Sequence, residues 1–135
     1  MYKEDLVLVA MDVNGLKKIN DTKGHAAGDE YICTTANVIS QALGSYGKIF
    51  RTGGDEFTAI LHCSPSDAES FENHLKECIA ALDNPWYKDM AIAVGIVCCE
   101  DNIGLDITEI EKLADKRMYE NKSNYYRQNG IDRRR

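Results

Sequence analysis

Residues 48 to 63 read KIFRTGGDEFTAILHC. Two short β-type runs, KIFRT and EFTAILHC, flank Gly53-Gly54, and a glycine pair between such runs signals a hairpin. The turn also carries Asp55 and Glu56, two anions side by side that repel each other unless something offsets their charge. Upstream, LVLVAMDV (6 to 13) is β-rich and nearly continuous in apolar residues, as expected of a central strand covered on both faces. A helical pattern starts at Leu16, breaks around Lys23-Gly24-His25, and resumes from Ala26 to Leu43 with a stripe of Ile32, Ala36, Ile39 and Leu43. Gly44 and Gly47 end it.

Downstream, Ser64-Pro65-Ser66-Asp67 reads as a turn into a helix, capped by Ser64 or Ser66. The stripe Phe71, Leu75, Cys78, Ile79 and Leu82 carries that helix to Asp83-Asn84-Pro85. MAIAVGIVC (90 to 98) is a second buried strand, and ITEIEKLADKRMYENKSNYY forms a long amphipathic helix with Ile110, Leu113, Ala114, Met118 and Tyr119 on its apolar face. The order strand, helix, hairpin, helix, strand, helix predicts an α/β sandwich whose central sheet mixes parallel and antiparallel strands and is flanked by helices. One domain spanning 1–135 accounts for the 135 residues, a length that buries one core without staples.

Sixteen Lys and Arg against 22 Asp and Glu give 16 − 22 = −6, so the chain as a whole repels nucleic-acid backbones and anionic membrane surfaces. Any phosphate it binds needs a local site. No run approaches the ~18–20 apolar residues of a membrane span, and MYKEDLVLVAMD lacks the layout of a secretion signal, so a cytoplasmic domain is expected. The five cysteines contain no C-x-x-C pair and are read as reduced packing residues. The three histidines lack zinc spacing. The basic end, GIDRRR, is read as solvated.

Asp12 closes the first strand, where sheet proteins hold ligands. A lone Asp there also serves as a turn cap. If the hairpin lies beside LVLVAMDV, however, its turn delivers Asp55 close to Asp12, and such a cluster calls for a hard divalent ion with oxygen ligands. Mg²⁺ keeps few protein carboxylates and completes its shell with water and phosphate, which suggests phosphoryl-type chemistry. A plain hairpin with solvated acids stays open as the alternative. Neither G-x-x-x-x-G-K-[ST] nor G-x-G-x-x-G occurs, so phosphates would be met by metal, lysines and helix N-termini. Near the first helix, Asn20, His25 and Asp29 stand out, because an amide and an ionised Asp match the donor and acceptor edge of guanine. Each is also an ordinary cap or turn residue.

MDVNGLKKINDTKGHAAGDEYI, RTGGDEFTAIL, AIAVGIV and LADKRMYENK together resemble the GGDEF domain of diguanylate cyclases across almost the whole chain. The resemblance implies a fold like nucleotidyl cyclases and polymerase palms, and condensation of two GTP into cyclic di-GMP and pyrophosphate. It implies that Asp12, the Val13 carbonyl and Asp55 hold Mg²⁺ or Mn²⁺, with two ions per site, and that Asp55 accepts the ribose 3′-hydroxyl proton with Glu56 beside it. Lys17 would stabilise phosphate charge, Asn20 and Asp29 would read guanine, and His25 would line the pocket. Gly53 and Gly54 would let the backbone approach the nucleotide, and Lys122 would meet its terminal phosphates.

The family's Arg, four residues after that Lys, is displaced by one: Tyr126 stands there and Arg127 follows as the substitute. Gly15-Leu16 replaces an aromatic pair, and the inhibitory R-x-x-D falls on Gly44-Ser45-Tyr46-Gly47, so feedback inhibition there is not expected. The D-x-L-T-type segment that precedes the first strand in relatives is missing, which points to the catalytic fragment of a longer signalling protein. Its partners would be GTP, a second copy in a homodimer, and a sensory or receiver domain. The alternative within the family is a degenerate module that binds GTP or cyclic di-GMP without turnover. Such modules usually lose the acids or glycines, all present here as Asp12, Gly53, Gly54, Asp55 and Glu56.

Overall fold

The computed structural model describes residues 5–87 and 89–128, with Trp86 and residues 124–128 described by backbone alone. The basic tail lies outside the described residues. The chain forms β1 (Leu6–Val13), α1 (Leu16–Lys23), α2 (His25–Leu43), β2 (Gly47–Arg51), β3 (Glu56–His62), α3 (Pro65–Glu69), α4 (Phe71–Ala80), β4 (Ile92–Cys98) and α5 (Ile107–Gln128). Local chemistry sets the boundaries. Gly24, at φ +92°, breaks α1 from α2 with a backbone conformation that side chains resist. Ser64, not Ser66, caps α3: its hydroxyl accepts from the Asp67 amide at 3.1 Å, with Pro65 in the first turn. Asp106 and Glu109 cap α5 reciprocally, each carboxylate accepting the other's amide at 2.8 and 3.1 Å.

The sheet order is β2-β3-β1-β4, and every neighbouring pair is antiparallel. The expected mixture of parallel and antiparallel pairing is therefore corrected. Helical crossovers do make β1 and β2 run the same way, and likewise β3 and β4. A crossover fixes direction, though, and not adjacency. The returning hairpin strand β3 slips between β2 and β1, and β1 separates β3 from β4, which is a split β-α-β arrangement.

Alternation along β1 serves two layers. Val7, Val9, Met11 and Val13 point to the core made with α2 and α4, including Ile39, Leu43, Phe71 and Leu75. Leu8 and Ala10 point the other way, into a smaller cluster with Val97, Ile110 and Ala114 under α5. Cys63 and Cys99 are buried, whereas Cys33 is exposed on α2, outside the packing role read for the cysteines. Burial pushes the Cys63 thiol up to about 11.

The approach of α5 depends on Gly95 in β4. A Cβ at Gly95 would overlap the Ala114 carbonyl oxygen and the Met118 amide, and would lie 3.0 Å from the Ala114 carbonyl carbon. The helix backbone thus rests directly on the strand. Gly95→Ala is expected to lower unfolding free energy by about 1–3 kcal/mol, because the obstacle is backbone and not a flexible side chain. Urea unfolding measures this, and an unchanged midpoint would remove the close packing of α5 on β4.

Candidate active site

Asp12 continues the period-two alternation of Leu8 and Ala10, so its carboxylate emerges at the strand end on the α5 side of the sheet. Antiparallel register sets Asp12 opposite Glu56, the first residue of β3. The Val13 amide donates to the Asp55 carbonyl at 2.9 Å, which ties the turn of the hairpin to the end of β1. Carboxylate oxygens of Asp12, Asp55 and Glu56 consequently lie within 4.8 Å of one another.

Asp12 is buried at 7% exposure, Asp55 half-buried and Glu56 exposed. Lys122 of α5 donates to Asp12 Oδ2 at 3.1 Å. Asp12 Oδ1 is buried and has no hydrogen-bond partner among the described residues. Burial pushes the Asp12 carboxyl above its usual range, the Asp55 charge pushes it further with a smaller push from Glu56, and the Lys122 hydrogen bond and charge oppose both. Three clustered carboxylates, one of them with a buried oxygen lacking a partner among the described residues, are a donor set that fits a hard divalent cation.

The hairpin is confirmed, but its turn is wider than a two-residue glycine turn. Both Thr52 and Gly53 amides donate to the Glu56 carbonyl, at 2.9 and 3.2 Å, and neither Gly53 nor Gly54 takes a positive φ. Space is what the glycines provide. A Cβ on Gly53 would lie 3.2 Å from that of Glu56, and one on Gly54 would meet nothing within 4 Å. Arg51 fastens the turn by donating to the Gly53 carbonyl at 3.1 Å and to the Gly54 carbonyl at 2.7 Å.

Asn14 fastens the other side. Its Oδ1 accepts from the Ala91 amide at 2.6 Å, its Nδ2 donates to the Asp89 carbonyl at 3.3 Å, and its own carbonyl accepts from the Tyr31 hydroxyl at 2.7 Å. Sequence reading missed both Arg51 and Asn14. The one available signal was their position, each one or two residues from a candidate ligand or signature glycine. Gly15, at φ +86°, then opens α1 without a side-chain cap, so the first amides of α1 remain for other acceptors.

Of the other expected residues, Lys17 is exposed on α1, and His25 is exposed at the start of α2. Neither pairs with the acids. Asn20 is half-buried on α1 and Asp29 exposed on α2. The side chain of Arg127 lies outside the described residues.

The fold and the cluster together define a class: an antiparallel α/β domain with an acidic, cation-compatible mouth between a strand end and a hairpin. Residues 1–128 match the family described as diguanylate cyclase, GGDEF domain, and the chain belongs to that family. It is 33% identical over 126 residues to a probable diguanylate cyclase of Escherichia coli strain K12, DgcT, covering 89% of this chain and 28% of that protein. The E. coli K12 diguanylate cyclase DgcM is 29% identical over 121 residues, with 89% and 29% covered. The chain thus spans less than a third of the length of these curated relatives. A solved microbial GGDEF domain, described with a novel mode of interaction with cyclic di-GMP, is 33% identical with a TM-score of 0.71, covering 88% of this chain and 71% of that one. The active GGEEF domain of a Vibrio cholerae diguanylate cyclase shares the fold at 24% identity and TM-score 0.74, covering 88% and 77%.

Proposed function

We propose that this domain condenses two molecules of GTP into cyclic di-GMP. The observation that carries the reading is the convergence of carboxylate oxygens of Asp12, Asp55 and Glu56 within 4.8 Å of one another, at an aspartate whose buried Oδ1 has no hydrogen-bond partner among the described residues. Asp12, Asp55 and the Val13 carbonyl would hold Mg²⁺, or Mn²⁺ with its overlapping oxygen preference, at up to two ions per site. Such a cation, when bound, lowers the pKa of a coordinated hydroxyl and offsets charge on the phosphates.

In each of the two condensations a ribose 3′-oxygen forms a bond to the α-phosphorus of the other GTP, and the bond from that phosphorus to pyrophosphate breaks. Asp55 takes the hydroxyl proton, with Glu56 as the neighbouring acid. Lys17 and the open amides of α1 face the phosphates, and Lys122, already beside the acids, serves the terminal ones. Asn20 and Asp29 read the guanine edge, and His25 lines the same pocket. The open side of Gly54 leaves room for the nucleotide against the turn, while Gly53 keeps the turn compact. Arg127 supplements Lys122.

Each subunit of a homodimer presents one GTP to the shared reaction, and a sensory or receiver domain in the longer protein sets the pairing. The domain works in the cytoplasm, where GTP is available. Among the described residues no helix is long and apolar enough to cross a membrane. Feedback inhibition at residues 44–47 is not part of this reading, since a side chain at Gly47 would overlap the Ile60 carbonyl and lie 2.8 Å from the Leu61 Cα.

The test is incubation of a forcibly dimerised fusion of this domain with labelled GTP and Mg²⁺. Labelled cyclic di-GMP and pyrophosphate are the expected products. A folded dimer that yields neither, with Mg²⁺ or with Mn²⁺, would overturn the reading.

A further inference from the structure

Gly28 sits in the first turn of α2, buried and with no positive φ, so its backbone makes no demand that alanine could not meet. Glycine is nevertheless the poorest helix former after proline. Its neighbour Gly24 has a conformational reason, φ +92° with open space around it, whereas the reason at Gly28 is steric. A Cβ on Gly28 would overlap Oδ1 of Asn20, and would lie 2.8 Å from its Cγ and 3.4 Å from its Nδ2. The Asn20 carboxamide therefore lies across the bare Cα of Gly28, one residue before Asp29.

We infer that Gly28 is a positioning residue for base recognition: its missing side chain is the seat that holds the Asn20 carboxamide beside Asp29. The inference rests on the proposal that Asn20 reads guanine. An added methyl group displaces the amide and leaves Asp29 in sequence register on the same helix. Half of the proposed donor and acceptor pair is then misplaced, and the loss falls on discrimination between GTP and ATP.

Wild type, Gly28→Ala, Asn20→Ala and the double variant are compared by titration with GTP and ATP and by thermal unfolding. Gly28→Ala is expected to weaken GTP binding about tenfold while changing ATP binding little, the size of one or two hydrogen bonds to a base. Once Asn20 is alanine, Gly28→Ala costs no further GTP affinity, and the melting point lost in the single variant is regained. Should Gly28→Ala alone fail to fold, the double variant decides: recovery of a cooperative transition supports the seat, and continued unfolding overturns it. Equal melting losses from Gly28→Ala with and without Asn20 would also overturn it, even where Asn20→Ala erodes GTP preference as proposed. If instead Asn20→Ala leaves that preference intact, the guanine reading of Asn20 fails and the positioning role falls with it.

Discussion

Asp55→Ala is expected to lower cyclic di-GMP formation by the dimerised domain at least about a hundredfold and to leave the fold in place. The activity loss follows from the two roles proposed for this carboxylate, cation ligand and proton acceptor, each of which is worth orders of magnitude in rate. Retention of the fold follows from what Asp55 contributes structurally, namely its backbone carbonyl, which accepts from the Val13 amide at 2.9 Å and which alanine keeps. The side chain is half-buried at a turn, and truncating it also removes a repulsion felt by Asp12. Unfolding free energy should stay within about 0.5 kcal/mol of wild type, the usual span for such surface positions. Product chromatography and urea unfolding on the same preparation check both halves. Synthesis at a rate within about threefold of wild type would sink the assignment of Asp55, given the size of effect that a ligand and base should have.

Asp12→Asn is expected to have the second large effect, and its signature is opposite in sign for activity and for stability. Activity is lost with the ligand. Without divalent ions, however, the variant should be the more stable protein at neutral pH. Burial and the Asp55 charge raise the Asp12 carboxyl above its ordinary range despite Lys122. Between the unfolded and the raised folded pKa the native state holds more protons than the unfolded state, so stability falls as pH climbs through that window. Asparagine does not ionise and escapes this fall, so its advantage over wild type should grow across the window and level off above it. Divalent cation should then stabilise wild type by mass action and leave Asp12→Asn unmoved. Urea unfolding at several pH values, with and without Mg²⁺, reads all three effects. A variant less stable than wild type at neutral pH without cation, yet stabilised equally by Mg²⁺, would show that Asp12 is a structural residue paired to Lys122.

Much of the local structure was legible because its causes are local. The Gly24 break, the Ser64-Pro65 start, the apolar stripes and the glycine-marked hairpin each lie within a few residues of the feature they produce. The hairpin is legible in Gly53-Gly54, but the width of its turn and the Arg51 contacts that lock it are not. The acid cluster was foreseen as a consequence of the hairpin lying beside β1, and the Asp12 to Glu56 register brings that about. Resemblance alone points Lys122 toward phosphate, and its ion pair with Asp12 is visible only in the fold.

The sequence by itself determined which segments become strands and helices, and which ends of them carry acids, because periodicity, capping and glycine act over one or two turns of chain. Only the tertiary structure decided strand adjacency, the meeting of Lys122 with an aspartate 110 positions away, and the seating of Asn20 on Gly28. Those outcomes depend on which faces bury most area and how closely two backbones can approach. Gly95 under α5 shows the point: a missing side chain is silent in a sequence until the partner that fills its place is known.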